Sequence, residues 1–157
     1  MKDNEEDIRK GSRRWVEHLS PSGFFQIRFP VDWQQFQDGN ILTLVPPWKT
    51  GSVTISAFGR SGSKPVPLQS LLSKAFTQAL PTTELSEIHL ESWSGYVQEF
   101  ESQEDEGLLH WIAIAAERDN VFVLMTAVEL QHVMNEKRSI FEEVLHSVEL
   151  QPIPRPS

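Results

Sequence analysis

The segment from 24 to 33 reads FFQIRFPVDW. Its aromatic and aliphatic side chains alternate with Gln26 and Arg28, which is the period of a strand with one buried face. Pro30 cannot donate a hydrogen bond to a neighbouring strand, so the strand is predicted over Phe24–Phe29. The segment therefore predicts a sheet whose core is filled with large rings.

Similar runs recur along the chain, separated by turn residues, and each predicts a further strand. The predicted strands are Trp15–Leu19, Ile41–Val45, Val53–Ala57, Ser86–Ser92, Tyr96–Ser102, Leu108–Ala116, Asn120–Val128 and a short last strand at Val148–Leu150. Strands that follow one another through short turns pair antiparallel, so a mainly antiparallel sheet is expected.

Two segments carry the periodicity of amphipathic helices. Over Leu68–Ala79 the apolar residues recur at i, i+3, i+4 and i+7, and Pro81 follows as a terminator. Over Gln131–His146 charged residues cover one side of a second helix. The chain is therefore predicted to be α+β, with a central antiparallel sheet flanked by two main helices.

The hairpin near Gly95 sets which side chains share a face of the sheet. A three-residue loop, 93–95, would place Ile88 and Leu90 beside Tyr96 and Phe100. A two-residue loop would instead mix these apolar side chains with acidic ones. The three-residue loop separates the two kinds of side chain and is the register predicted here.

This register gathers acidic side chains on one outward face. No Lys or Arg occurs between Lys74 and Arg118. The predicted acidic face consists of Glu87, His89, Glu91, Glu99 and Glu101. Like charges on neighbouring strands repel, so the face is interpreted as a solvated surface or as a docking site for a basic protein partner. A divalent-cation site at these residues is a weaker alternative.

Two tryptophans fall in predicted turns. Trp48 lies between Pro47 and Lys49, and Trp93 lies at the predicted hairpin tip. Exposed rings at loop tips are candidates for partner binding. The alternative is that each ring folds back as a lid on the core.

Composition excludes several classes of protein. The 157 residues suit one domain, expected at 15–151, between a disordered charged tail at 1–14 and a proline-rich tail at 152–157. The absence of Cys excludes disulfides and thiolate chemistry. A net charge of −8 argues against nucleic-acid or membrane partners. No secretory signal and no transmembrane run is recognised, so a cytoplasmic protein is expected.

No motif predicts catalysis or a cofactor. The sequence lacks a Gly-x-Ser-x-Gly elbow, the spacing of a phosphate-binding loop and the His-Glu-x-x-His pattern of zinc enzymes. The chain is therefore expected not to be an enzyme. The alternative is a small-ligand binder or enzyme whose pocket lies between the sheet and the Leu68–Ala79 helix.

The sequence resembles the PsbP-like superfamily, which includes photosystem II PsbP, the Ran-binding Mog-type protein and bacterial relatives of the DcrB type. The matching features are the aromatic strand ending in Pro30, Trp33 after it, the turn from Gly95 into Tyr96, and the closing segment 141–148. The resemblance covers about 23–150. It implies an antiparallel sheet flanked by helices and non-enzymatic work as an interaction, adaptor or chaperone-like module. A homodimer is a separate expectation, which the resemblance does not supply. No binding residue of the superfamily maps onto a motif here.

Overall fold

The computed structural model describes residues 14–59 and 67–151. Within these ranges lie eleven strands: β1 Trp15–Leu19, β2 Phe25–Pro30, β3 Gln34–Asp38, β4 Ile41–Val45, β5 Ser52–Gly59, β6 Leu80–Pro81, β7 Ser86–His89, β8 Ser94–Glu104, β9 Gly107–Arg118, β10 Val121–Leu130 and β11 Glu149–Leu150. The helices are α1, Leu68–Ala75, and α2, Gln131–His146. Of the predicted tails, 1–13 and 152–157 lie outside the described residues.

All strand pairs in the described ranges are antiparallel, as predicted. The large sheet has eight strands, in the order β3-β4-β5-β10-β9-β8-β6, with β7 also paired to β8. The small sheet has the order β1-β2-β11. The predicted α+β class with an antiparallel sheet and two flanking helices is confirmed.

One face of the large sheet, the inner face, is covered by α2 and by the small sheet. Along β5 and β10 the residues of this face alternate with less buried ones and are almost wholly excluded from solvent. The main core includes Ile55 and Met125 from the large sheet, Phe25 and Ile27 from β2, and Phe141 from α2. The alternation in the sequence thus does set the direction of the buried side chains.

The opposite face, called the open face, carries α1 over β8 and β9. Leu68 and Leu72 of α1 form a second, smaller core with Phe100, Ala113 and Ala115. The two helices therefore lie on opposite faces of the large sheet. The open face carries a helix and a second core, so it is not the acidic outer face that the sequence predicts.

The predicted register of the 86–97 hairpin is also wrong. Ile88 lies opposite Gly95, and the turn comprises four residues, 90–93, closed by a 2.8 Å hydrogen bond from Leu90 N to Trp93 O. Gly95 is inside β8 rather than in the turn. A Cβ there would overlap the backbone of Ala115 on β9, so only glycine permits this approach of the two strands.

Helix α1 is shorter than its apolar pattern predicts. It ends at Ala75, and the ring of Phe76 then stacks on that of Phe100, with centroids 4.4 Å apart. The next residues cross to the sheet edge, where Leu80 and Pro81 pair with β8 as β6.

Within the described ranges no helix has the length and apolar content required to cross a bilayer.

Candidate functional site

The predicted acidic face is divided between the two sides of the sheet. Glu87 lies opposite Tyr96 and His89 opposite Ser94, which places both on the open face. Their side chains are exposed and lie 3.4 Å apart, from Nε2 of His89 to Oε2 of Glu87. Glu91 is exposed in the turn at 90–93. These three residues do not face the other two members of the group.

Glu99 and Glu101 are on the inner-face side of β8, opposite Ile112 and His110. Glu99 is not turned outward to solvent: its side chain is 20% exposed and accepts a 2.6 Å hydrogen bond from Arg138 of α2. The Nε2 atom of His110 lies 2.5 Å from the same oxygen. The acid therefore has two partners within the chain.

In this cluster the carboxylate of Glu99 on β8 faces the guanidinium of Arg138 on α2. Burial would raise the pKa of Glu99, but hydrogen bonds from Arg138 and His110 outweigh burial and lower the pKa of Glu99 overall. The hydrogen bond to Glu99 in turn raises the pKa of Arg138. The cluster joins the helix to the sheet and is a structural feature.

The prediction that five side chains form one acidic face is therefore wrong. It assumed that Ile88 and Leu90 share a face with Tyr96, whereas both pack against the main core. Within the described ranges no group of three or more His, Asp or Glu side chains is placed to hold a metal ion. The alternative of a cation site at these five residues is wrong for the same reason.

Neither predicted loop-tip tryptophan is an exposed anchor. Trp93 is 3% exposed and donates a 2.8 Å hydrogen bond from Nε1 to the carbonyl of Val148. Trp48 is half-buried and donates 2.8 Å from Nε1 to Oε2 of the fully buried Glu129. Both rings close over the core, as the alternative interpretation proposed.

The open face at β3, β4, β5 and β10 has an unusual composition for a surface. Its side chains are Gln34, Phe36, Asp38, Ile41, Thr43, Val45, Ser52, Thr54, Ser56, Phe58, Phe122, Leu124, Thr126 and Val128. Asp38 is the single charged member, in a chain of which 23% of residues are charged. Phe36, Ile41 and Phe58 remain 55%, 44% and 42% exposed.

A groove continues the open face beneath the end of α1. It has a volume of about 310 Å³ and runs between the helix end and strands β9 and β10. Phe76 and Trp111 line it together with Leu124 and Thr126. The indole N–H of Trp111 donates 2.9 Å to the hydroxyl of Ser102. The open face and this groove form one continuous, largely uncharged surface.

Sequence reasoning missed this surface because it placed the exposed face elsewhere. A signal was present: Thr43 and Thr54 occupy the polar positions of predicted strands. Hydroxyls rather than charges at such positions indicate a surface that tolerates both water and an apolar contact. The edge strand that carries Phe36 was not predicted at all.

Sequence comparison finds no protein-family model and no curated protein that matches the chain. Solved structures do match in fold. Cyanobacterial PsbP (CyanoP) of Synechocystis sp. PCC 6803 has a TM-score of 0.68 at 9% identity, covering 87% of this chain and 92% of that one. The Ran-binding protein Mog1p of Saccharomyces cerevisiae has a TM-score of 0.55 at 8% identity, covering 90% and 97%.

A larger protein shares the fold over part of its length. A protein of Bacteroides thetaiotaomicron VPI-5482 has a TM-score of 0.65 at 20% identity, and the match covers 86% of this chain. It covers 48% of that protein, so this chain spans about half of its length. At these identities the likeness concerns architecture. The predicted resemblance is confirmed at that level: the chain has the PsbP/Mog-like fold.

Proposed function

We propose that this chain is a non-enzymatic protein-interaction module, of adaptor or chaperone-like type, that docks its partner on the part of the open face formed by β3, β4, β5 and β10. The fold supports this proposal, since one neighbour is by name a Ran-binding protein. The main support is the surface itself. At β3, β4, β5 and β10 this face has one charged residue, Asp38, so it is complementary to an apolar, uncharged partner surface.

The open face suits an uncharged partner better than a basic one. A basic partner would gain most from clustered carboxylates. The carboxylates expected to cluster are divided, and Glu99 already binds Arg138. Thr54, at the centre of this area, lies between Thr43 and Thr126 on the neighbouring strands. Because none of the three is charged, a partner that docks there does not have to remove water from a charged side chain.

The proposal can be tested by placing a photo-crosslinking residue at Thr54 in cells. The matched control carries the same residue at Glu87, which is exposed on β7, on the same side of the sheet but outside the area proposed for docking. We expect one discrete crosslinked partner from position 54 and none of that mass from position 87. Thr54→Lys should abolish the complex, whereas Glu87→Lys, which also adds positive charge, should leave it intact.

The effect of salt distinguishes an apolar interface from one held by charge pairs. A complex held by apolar contact should survive about 0.5 M salt, where exposed charge pairs are screened. Loss of the complex in that salt, or equal crosslinking from both positions, would refute docking on the open face and would favour a basic partner elsewhere.

The groove beneath α1 supports a second candidate function, the binding of a small apolar ligand. Its volume is at the lower end for small-molecule sites, and Phe76 and Trp111 line it. A metabolite panel should then contain a compound that raises the melting temperature. Ala79→Phe, which fills the groove, should remove that increase. An increase that persists in Ala79→Phe would place the ligand elsewhere.

A further inference from the structure

The strand β3 forms one edge of the large sheet. Within the described ranges its one neighbouring strand is β4, and all five of its residues are exposed. An edge strand presents unpaired N–H and C=O groups and is a template for another strand. Natural edges are usually protected by proline, lysine or a bulge. The segment QQFQD at 34–38 contains neither proline nor lysine, and its single charged residue, Asp38, is the last of the strand.

The hairpin between β3 and β4 shows which backbone groups point away from the sheet. Asp38 pairs with Ile41 across the two-residue turn at Gly39, whose φ is +58°. In such a hairpin the closing pair is hydrogen-bonded, and bonded pairs alternate along the ladder. By this alternation Gln35 and Gln37 direct their backbone N–H and C=O groups outward.

We propose that two copies of this chain pair antiparallel through β3, with the two-fold axis at Phe36. Gln35 then bonds through its backbone to the partner's Gln37, and Gln37 to the partner's Gln35. Phe36 lies opposite the partner's Phe36 as a non-bonded pair, in which side chains approach most closely. The two large sheets become one continuous sheet with both open faces on the same side.

The charge pattern of β3 fits this self-pairing. In the proposed register Asp38 faces the partner's Gln34, so no like charges oppose each other. The five-residue edge strand of the small sheet behaves differently. β1 is centred on Glu17, which would face its own copy and repel it. The same symmetry that admits pairing at β3 therefore opposes it at β1.

The expected dimer is weak, because five residues a side make an interface at the low end of the known sizes. The partner is a second copy of this chain, and the contact is a sheet edge. This pairing goes beyond the proposed function and does not depend on docking at the open face, so the two can fail separately.

The absence of cysteine permits a direct test of the register. Phe36→Cys should form a disulfide-linked dimer under mild oxidation, since residues opposite each other in a non-bonded pair are within disulfide range. Ile41→Cys is the matched control, exposed on the same face but one strand inward. In the proposed register two such cysteines lie three strand spacings apart, about 14 Å, and are also offset along the strands by four residues, so they should not crosslink.

The native chain supplies the second measurement. Its mass by sedimentation should rise with concentration from 18.0 kDa toward twice that value. Phe36→Lys places two lysine side chains opposite each other across the dimer contact and should weaken the dimer at least tenfold. Phe58→Lys, on β5 and away from this contact, should not weaken it. A chain that stays monomeric at millimolar concentration would overturn the inference. So would equal crosslinking of the two cysteine variants, or equal weakening by the two lysine variants.

Discussion

Arg138 on α2 donates a 2.6 Å hydrogen bond to Glu99 on β8, across 39 positions in the sequence. His110 on β9 shares the same carboxylate oxygen, and Glu142 accepts from the other guanidinium nitrogen at 3.2 Å. The contact joins the last helix to the sheet at the margin of the main core. It also accounts for a carboxylate on the inner-face side of the sheet.

Glu99→Gln is expected to lower the free energy of unfolding by about 1–3 kcal/mol at pH 7, because a charged acceptor is replaced by a neutral one. The pKa of Glu99 is lowered in the folded chain. Its stabilisation is therefore present above the unfolded value of about 4.3 and is lost as pH falls through the lower folded value. Urea unfolding between pH 7 and pH 3 measures this.

The difference between native chain and variant should consequently shrink below about pH 4. Glu84→Gln, at an exposed position, is the control and should change stability little at any pH. A difference for Glu99→Gln that is unchanged at pH 3 would show that its charge does not stabilise the fold.

Trp93 and Trp33 permit a matched comparison of one substitution. Both are buried, at 3% and 4% exposure. Trp93 donates to the carbonyl of Val148, whereas the buried Nε1 of Trp33 has no hydrogen-bond partner in the described part of the chain. Trp93→Phe should therefore destabilise by about 1–2 kcal/mol more than Trp33→Phe, because only Trp93→Phe leaves a carbonyl unpaired. Thermal unfolding of the two variants checks this, and equal losses would refute it.

Elements with strong periodicity could be predicted from the sequence. Ile41–Val45 and Gln131–His146 have the predicted bounds. The first is a short, mostly apolar run between turn residues, and the second has apolar residues on one side of a helix and charged residues on the other. Strand β3 could not be predicted, since Gln34–Asp38 has a single apolar residue. That strand forms through its pairing with β4 and the hairpin turn. Its local composition carries no strand signal.

The candidate site was predicted less well, for two physical reasons. The sequence pattern places Gly95 in a turn, whereas in the structure Gly95 lies inside a strand and is required by close packing there. The sequence pattern of a glycine does not distinguish these two roles. The sequence shows no basic residue near these acidic side chains, whereas in the structure Glu99 pairs with Arg138 of α2, far away in the sequence. Pairing at that distance cannot be read from spacing.

Gly95→Ala should be among the most damaging single substitutions. The added methyl would overlap the carbonyl oxygen of Ala115 and approach Cα of Ala116 at 2.8 Å, so β8 and β9 must separate. We expect a loss of about 3 kcal/mol or more in urea unfolding, which is the upper range for overpacking. Gly39→Ala is the control, since its φ of +58° is strained but no atom lies within 4 Å. Its loss should stay near about 1 kcal/mol, and equal losses would contradict the packing argument.

Glu129 is a buried carboxylate that accepts hydrogen bonds on both of its oxygens. It is fully buried, with Oε2 accepting from Trp48 Nε1 and Oε1 accepting from Leu130 N, both at 2.8 Å. A carboxylate can accept from two donors, but an amide has one oxygen and one NH₂ group. Glu129→Gln would therefore set an N–H donor against another donor, with an expected loss of about 1–3 kcal/mol.

A double variant distinguishes the clash between two hydrogen-bond donors in Glu129→Gln from the loss of the carboxylate charge. Trp48→Phe removes one of the two donors, so that in the Trp48→Phe background the amide nitrogen introduced by Glu129→Gln can face the vacated side. Glu129→Gln should then cost less than it does alone, which a double-mutant cycle of urea unfolding measures. Equal costs in both backgrounds would show that Glu129 is required for its charge rather than for its two acceptor oxygens.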